Sequence, residues 1–451
     1  MCVASKGGSP LIYVLFIVLL FLSLINFFIS KFNVLYPSVV VCSVFTLSSF
    51  VYLLNYSSWN VPLDSSTCCF IVSALTLFSV STVIGGSFKL SEYITARCLC
   101  RYRYKDLMSF EVSKKTVHMM CFICICTVIS YFRHQYLLSL SLGNTAGIAG
   151  MIHSIRSVVQ SDADAFRLSH LLNVGLVFTR ASGFISLFLI INNYINKDRS
   201  SIGLYLIQLC FVLTLILSTG RGGFIVLFTS IIYDVYILHR LKNDSNINIK
   251  IIKFSIIGIF LFFVIFRLLG YLSGNSKILS LWDAISIYAG SSILCLNDLL
   301  VNGWHSAAYW GQNTFRGLFN ILRMFGGNFA SVSNHAEMAY WGNYGSNVYT
   351  SFYTYLLDFD IYGVLFLQLV LGLLSGFYWG KYTDKNKCSL FLLIVYGRFW
   401  GYTFVYYSIA ERFFSELWAL NTFVEIFFYI LIIKFLFNKQ NFVTKGNDFI
   451  R

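Results

Sequence analysis

Charge is scarce in this sequence. Only 12% of its 451 residues are Asp, Glu, Lys or Arg, about half the share of a soluble globular domain, which excludes a fold that faces water on all sides. Proline is scarcer: three residues in the whole chain leave little to interrupt long helices. The first apolar run, Leu11 to Ser30, has no small-x-small cleavage site after it and is too long for a signal-peptide core, so it reads as a retained span. No inverted repeat of the transporter kind and no low-complexity tract is present, and a single transmembrane domain over residues 1–451 is the expected organisation.

What the chain has in abundance is apolar runs. Hydrophobic residues make up 57% of it, and runs of about twenty, enough to cross a ~30 Å hydrocarbon core as helix, recur from Leu11 to the C-terminal tail. They predict an all-α polytopic membrane protein with about 11 transmembrane helices. These fall near 11–30, 35–55, 67–87, 117–137, 169–191, 202–219, 223–239, 251–271, 360–380, 389–410 and 417–437.

Twelve cysteines could suggest a disulfide framework or a metal site, but ten fall in apolar runs or in loops expected inside, where a thiol behaves as a small hydrophobe. Cys121, Cys124 and Cys126 have only His118 nearby, and nothing completes a tetrahedral set. No metal and no cofactor is expected.

Direction follows from Lys and Arg, which are in excess in short cytoplasmic loops. The stretch with Lys89, Arg97, Arg101, Arg103, Lys105, Lys114 and Lys115 is expected inside, which puts the N-terminus outside and the C-terminus inside. Two long segments then face outward, about 133–170 and 271–359. In the first, Ile148, Met151, Ile152, Ile155 and Val158 recur at helical spacing, with Arg156 off the stripe, predicting a short helix on the membrane surface. The second is rich in Trp, Tyr, Gly and Asn, as carbohydrate-binding surfaces often are and as an interfacial aromatic belt also is.

Sorted by this topology, the 33 basic residues fall 21 inside, 10 outside, and two, Arg180 and Arg398, within spans. Eight of the ten outside are arginine (Arg133, Arg156, Arg167, Arg221, Arg267, Arg316, Arg323, Arg412), against six of the 21 inside. A topology signal would accept lysine equally, whereas the guanidinium fork matches phosphate oxygens two at a time, so the bias implies an outward phosphate ligand. For any single arginine, snorkelling or pairing with Asp162, Asp164, Asp283 or Asp298 is the simpler role. Arg180 is sharper: it sits mid-span with no acidic residue in its own helix, with Glu425 as a candidate partner. Arg221, in Ser218-Thr219-Gly220-Arg221-Gly222-Gly223, offers either an anion nest or a plain tight turn.

The plan as a whole resembles the O-antigen (Wzy-type) oligosaccharide repeat-unit polymerases of Gram-negative inner membranes. Three stretches carry the likeness: LILSTGRGGFIVLF around Arg221, YAGSSILCLNDLL from Tyr288 to Leu300, and NVYTSFYTYLLDFDIYGVLF from Asn347 to Phe366. The Arg-x10-Gly spacing of that family is met by Arg316 and Gly327, but by no arginine of the first outer loop. The resemblance implies a fold like that of the multi-spanning (GT-C-like) glycosyltransferases that use lipid-linked donors. It also implies glycosyl transfer between two undecaprenyl-pyrophosphate-linked glycans, without nucleotide sugar, metal or nucleic acid, and with a chain-length regulator as a candidate partner. In that chemistry Arg180, Arg221, Arg316 and Arg323 would bind pyrophosphate, and His335 or Glu337 would act as general base, with His305 as an alternative. Asp358, in the third family-like stretch, would act at the site or orient the following span. An O-antigen ligase and a lipid-linked oligosaccharide flippase are the rival readings.

Overall fold

A computed structural model describes residues 10–87, 112–144, 147–161, 168–218, 220, 222–243, 258, 281–329, 332, 336–384 and 388–437. In chain order the helices are α1 Pro10–Ile29, α2 Pro37–Trp59, α3 Ser65–Ser87, α4 Lys114–Ser141, α5 Gly147–Ser161, α6 His170–Asn196, α7 Ile202–Leu217 and α8 Gly222–Asn243. Then come α9 Leu281–Asn302, α10 Arg316–Met324, the hairpin β1 Ala339–Trp341 and β2 Tyr344–Ser346, α11 Phe352–Thr383 and α12 Leu390–Val395. A π-helix, Tyr396–Gly401, leads to α13 Tyr402–Tyr406, α14 Phe413–Leu417 and α15 Leu420–Leu436. Eight helices (α1, α2, α3, α4, α6, α8, α9 and α11) are long and apolar enough to cross a membrane. The protein is a helical, multi-pass membrane protein.

Local chemistry sets the ends. Pro37 occupies the first turn of α2, where its missing N–H costs nothing, and Asn60 closes that helix in the left-handed conformation. Ser113, Ser169 and Ser389 each accept a hydrogen bond from the third backbone N–H that follows, starting α4, α6 and α12. Every expected span within the described residues falls on a helix; the one near 251–271 lies outside them except for residue 258, as does most of the basic stretch 89–115.

The chain divides into two compact units, each assembled from three discontinuous stretches, so no linker marks the division. One comprises 1–90, 279–383 and 399–420; the other comprises 91–278, 384–398 and 421–451.

In the first unit α3 and α11 pack backbone to backbone. A Cβ added at Gly372 would collide with Ser81 and Phe78, one at Gly376 with Thr82 and Gly86, and one at Gly85 with Leu373. Small residues at four-residue spacing let membrane helices approach this closely. The order of contacts shows that α3 and α11 run parallel. Gly376→Leu is therefore expected to force the pair apart, with overpacking of about 3 kcal/mol or more; a lowered melting temperature in detergent checks this. Alongside, Asn26 on α1 donates to Ser79 on α3 at 3.1 Å, and Ser23 meets Thr46 on α2 at 2.9 Å.

α9 was not expected, since the whole of 271–359 reads as an outward segment. It lies across the C-terminal half of α2: Trp282 donates to Asn55, Ser292 meets Ser48, and Asn297 contacts Pro62 and Asp64 in the loop that follows. The hairpin covers α9, with Ser346 against Ser291 and the Trp341 ring against Trp59.

In the second unit, α5 forms where its apolar stripe predicts. Met151, Ile152 and Ile155 are buried, however, with Leu217 of α7 packed against them, while Ile148 stays exposed. The stripe that could have faced lipid covers the end of α7. On α4, Cys121 and Cys124 are buried while His118 and Cys126 are exposed, so these four do not converge.

Candidate functional site

The ionisable residues most deeply set in the apolar helices gather in the second unit. Arg180 lies in the middle of α6, where Ala181, Ser182 and Gly183 keep the helix slim; a Cβ at Gly183 would strike the Phe211 ring of α7. Its Nε approaches Glu425 Oε2 on α15 at 2.9 Å. Arg398, which the sequence placed in a span without a role, reaches the same carboxylate, with Nε 3.2 Å from Oε1 and Nη2 3.4 Å from Oε2. Tyr429, one turn after Glu425, donates its hydroxyl to Oε1 at 3.1 Å.

The π-helix explains how Arg398 gets there. Its wider turn shifts the side-chain register by one residue, and such turns recur at functional sites. Gly397 sits against the Ser230 backbone of α8, where an added Cβ would lie 2.9 Å from Cα. Arg398 also lies over the Phe184 ring, 5.9 Å from its centroid. Glu425 is fully buried and Arg398 is 5% exposed, but the Arg180 side chain is 33% exposed.

Two guanidinium groups thus converge on one carboxylate, and the three side chains together carry a formal charge of +1. In apolar surroundings an ion pair persists only with good geometry and further hydrogen bonds, which Tyr429 supplies. The surplus positive charge, with one guanidinium still open, favours a bound anion.

The first unit holds a second polar group, built around the loop before α10. Asp358 is buried and accepts from Asn313 N at 3.1 Å, Asn313 Nδ2 at 2.9 Å and Thr314 N at 2.6 Å. Ala307 N donates to Leu357 O at 2.9 Å. Asp358 thereby clamps the segment that delivers Arg316 to the first turn of α10. Two residues on, Asp360 breaks α11 with φ of 61°, and its Oδ1 accepts from Ile361 N at 2.6 Å, so the longer part of the helix starts afresh there.

Glu411 has its carboxylate filled by Phe414 N at 2.6 Å, Ser415 N at 3.0 Å and the Tyr355 hydroxyl at 3.4 Å. Burial raises its carboxyl above the usual range, against the lowering effect of those N–H donors and Ser415. Arg412 lies 3.7 Å from Glu416, whose Oε1 accepts from the Tyr402 hydroxyl at 2.9 Å.

Of the expected residues, Asp358 holds Asn313 and Thr314, just before Arg316, and Arg180 meets its candidate partner Glu425. Glu337 is exposed, with its backbone hydrogen-bonded to the Tyr353 hydroxyl. Arg323 is exposed in the last turn of α10, and His305 is exposed. Arg221 and His335 lie outside the described residues. What sequence reasoning missed is the use of Arg398, flagged only by being ionisable within an apolar run, and of Tyr429, for which no signal existed.

These features define a multi-pass membrane protein with two arginines paired on one buried glutamate among its helices. No family model matches the chain, and no match was found among the curated proteins or the solved structures.

Proposed function

We propose that this protein polymerises undecaprenyl-pyrophosphate-linked oligosaccharide repeat units into O-antigen polysaccharide, transferring glycan from a lipid-linked donor to a lipid-linked acceptor at the periplasmic face of the bacterial inner membrane. The observation that carries this reading is the pairing of Arg180 and Arg398 on the single carboxylate of Glu425, with Arg180 partly open. A lipid-borne pyrophosphate enters from the membrane side, and its departure builds negative charge that positioned guanidinium groups stabilise. The sequence likeness at 288–300 and 347–366 supports the same reading.

In this scheme Arg180 and Arg221 in one unit, and Arg316 and Arg323 in the other, are each pyrophosphate ligands, and Asp358 holds the segment that leads to Arg316. His335 takes the proton of the attacking hydroxyl, with Glu337 beside it in sequence. About 11 crossings, an outside N-terminus and an inside C-terminus fit parallel α3 and α11, which correspond to the third and ninth expected spans. A chain-length regulator would act on this polymerase from outside the reaction centre.

A strain lacking the gene tests the reading against its rivals. A polymerase defect leaves lipopolysaccharide capped with a single repeat unit. Loss of a ligase or a flippase leaves core without any repeat, and that outcome would overturn the proposal.

A further inference from the structure

α8 carries an acid with no structural partner. Asp234 stands near the middle of the 21-residue apolar span Gly222–Lys242 and is 2% exposed. Its Oδ1 is shielded from solvent without a hydrogen bond, and among the described residues no ion pair reaches the carboxyl. One turn earlier on the same face, Ser230 is 1% exposed, and its Oγ also lacks a partner. A serine inside a helix commonly bonds the carbonyl four residues back, as Ser23, Ser79 and Ser291 do here at 2.9, 2.8 and 2.5 Å. Ser230 does not, so its oxygen is left over one turn from that of Asp234.

Packing closes this face of α8. A Cβ at Gly397 of the π-helix would lie 2.9 Å from Ser230 Cα, and the Tyr396 ring stands 5.7 Å from that of Tyr233. The charged groups on the elements packed against α8 are held elsewhere: Arg180 of α6 and Arg398 of the π-helix on Glu425, and Arg240 of α8 itself on the Tyr236 hydroxyl at 2.7 Å. Lys242, at the end of α8, donates to Ile195 O, and α12 has no titratable residue. The other titratable side chains on these elements are Tyr233, Tyr236 and His239 on α8, Tyr396 of the π-helix, and His170 and Tyr194 of α6, both exposed. None of them hydrogen-bonds to Asp234.

A carboxylate buried with neither donor nor counter-charge is strongly disfavoured, and acids so placed in membrane helices mark proton or ion paths. One positive charge delivered to it removes that cost. We propose that Asp234 and Ser230 form a site for one small monovalent cation, a proton or a sodium ion, within the membrane-spanning part of the second unit. A proton adds to the carboxylate as an O–H whose acceptor is Ser230 Oγ, whereas sodium takes both oxygens as ligands. Either cation enters from water and returns to it, with no other bond made or broken. The site stands independently of the polymerase reading.

The test is infrared difference spectroscopy of the full chain in phosphatidylcholine nanodiscs, with pH or sodium stepped at constant ionic strength. The wild type is expected to show a protonated-carboxyl band that gives way to carboxylate bands as pH or sodium rises, and that is missing from Asp234→Asn. A response to pH alone identifies the proton. Displacement by sodium, at a concentration that Ser230→Ala raises about tenfold, identifies the sodium ion.

Because either variant could fail to fold, the wild-type chain is also treated with dicyclohexylcarbodiimide, which adds to protonated carboxyls in apolar surroundings, and the adducts are mapped by mass spectrometry. An adduct on Asp234 that declines as pH or sodium rises supports the site. A carboxylate that stays ionised without binding sodium overturns it. So does an acid that neither pH nor sodium alters, or, where the variants do not fold, an adduct that is absent from Asp234 at every pH.

Discussion

Glu425→Ala is expected to eliminate most of the folded protein. The carboxylate is fully buried and is the shared partner of Arg180 and Arg398, so its removal leaves two guanidinium groups facing each other among apolar helices. Breaking a buried pair by deleting one partner costs about 3–5 kcal/mol, against a total stability of roughly 5–15 kcal/mol for a typical domain. The measurement is the yield of monodisperse protein in detergent and its melting temperature. Removing one cation together with the carboxylate, as Arg398→Gln with Glu425→Gln, should recover part of the yield because it returns the formal charge of the cluster from +2 to the wild-type +1. Wild-type yield from Glu425→Ala alone would show that the cluster is not what holds α6, the π-helix and α15 together.

Arg180→Ala should do the opposite, sparing the fold and removing the activity. Without Arg180, Glu425 still has Arg398 at 3.2 Å and the Tyr429 hydroxyl at 3.1 Å, a balanced pair, so the melting temperature should change little. The open guanidinium is the one available to a substrate phosphate, and loss of one such positioned donor typically costs ~10²- to 10³-fold in rate. Long-chain glycan should disappear from cells carrying this variant while the protein still inserts. Arg180→Lys should restore only part of it, since an ammonium cannot make the two parallel contacts. Full-length glycan from Arg180→Ala would reduce this residue to a structural partner of Glu425.

The contrast between these two substitutions reflects what could be read before any coordinates. Arg180 stood out because an unpaired charge in a twenty-residue apolar run is costly wherever it occurs, and Glu425 could be named beside it as the candidate partner. Arg398 carried the same warning, yet its role depended on a π-helix, whose extra residue per turn comes from packing between Gly397 and Ser230 rather than from local propensity. Tyr429 gained meaning only from the contact of α15 with α6.

Span positions were legible for a related reason. Hydropathy reports the solvent directly, and caps such as Ser113, Ser169 and Ser389 sharpen the ends. α9 escaped because Asp283, Asn297 and Asp298 dilute its apolar character, and because its partner, the C-terminal half of α2, lies more than 200 residues away in sequence. α5 was legible as a helix but not in its burial: period alone shows that one face is apolar, and whether lipid or protein covers that face is decided elsewhere in the fold. The division into two units was hidden because each is stitched from three separate stretches.

The central claim is that this membrane protein joins lipid-linked repeat units. The most direct measurement reconstitutes the purified chain in liposomes with one substrate, the repeat unit on undecaprenyl pyrophosphate, and separates the products by length. A ladder of glycans rising in steps of one repeat unit, with release of one undecaprenyl pyrophosphate per unit added and with no ladder from Arg180→Ala, is the predicted result. Recovery of the single repeat unit alone from folded, substrate-binding wild-type protein, or its transfer only when lipid A core is added, would contradict the account.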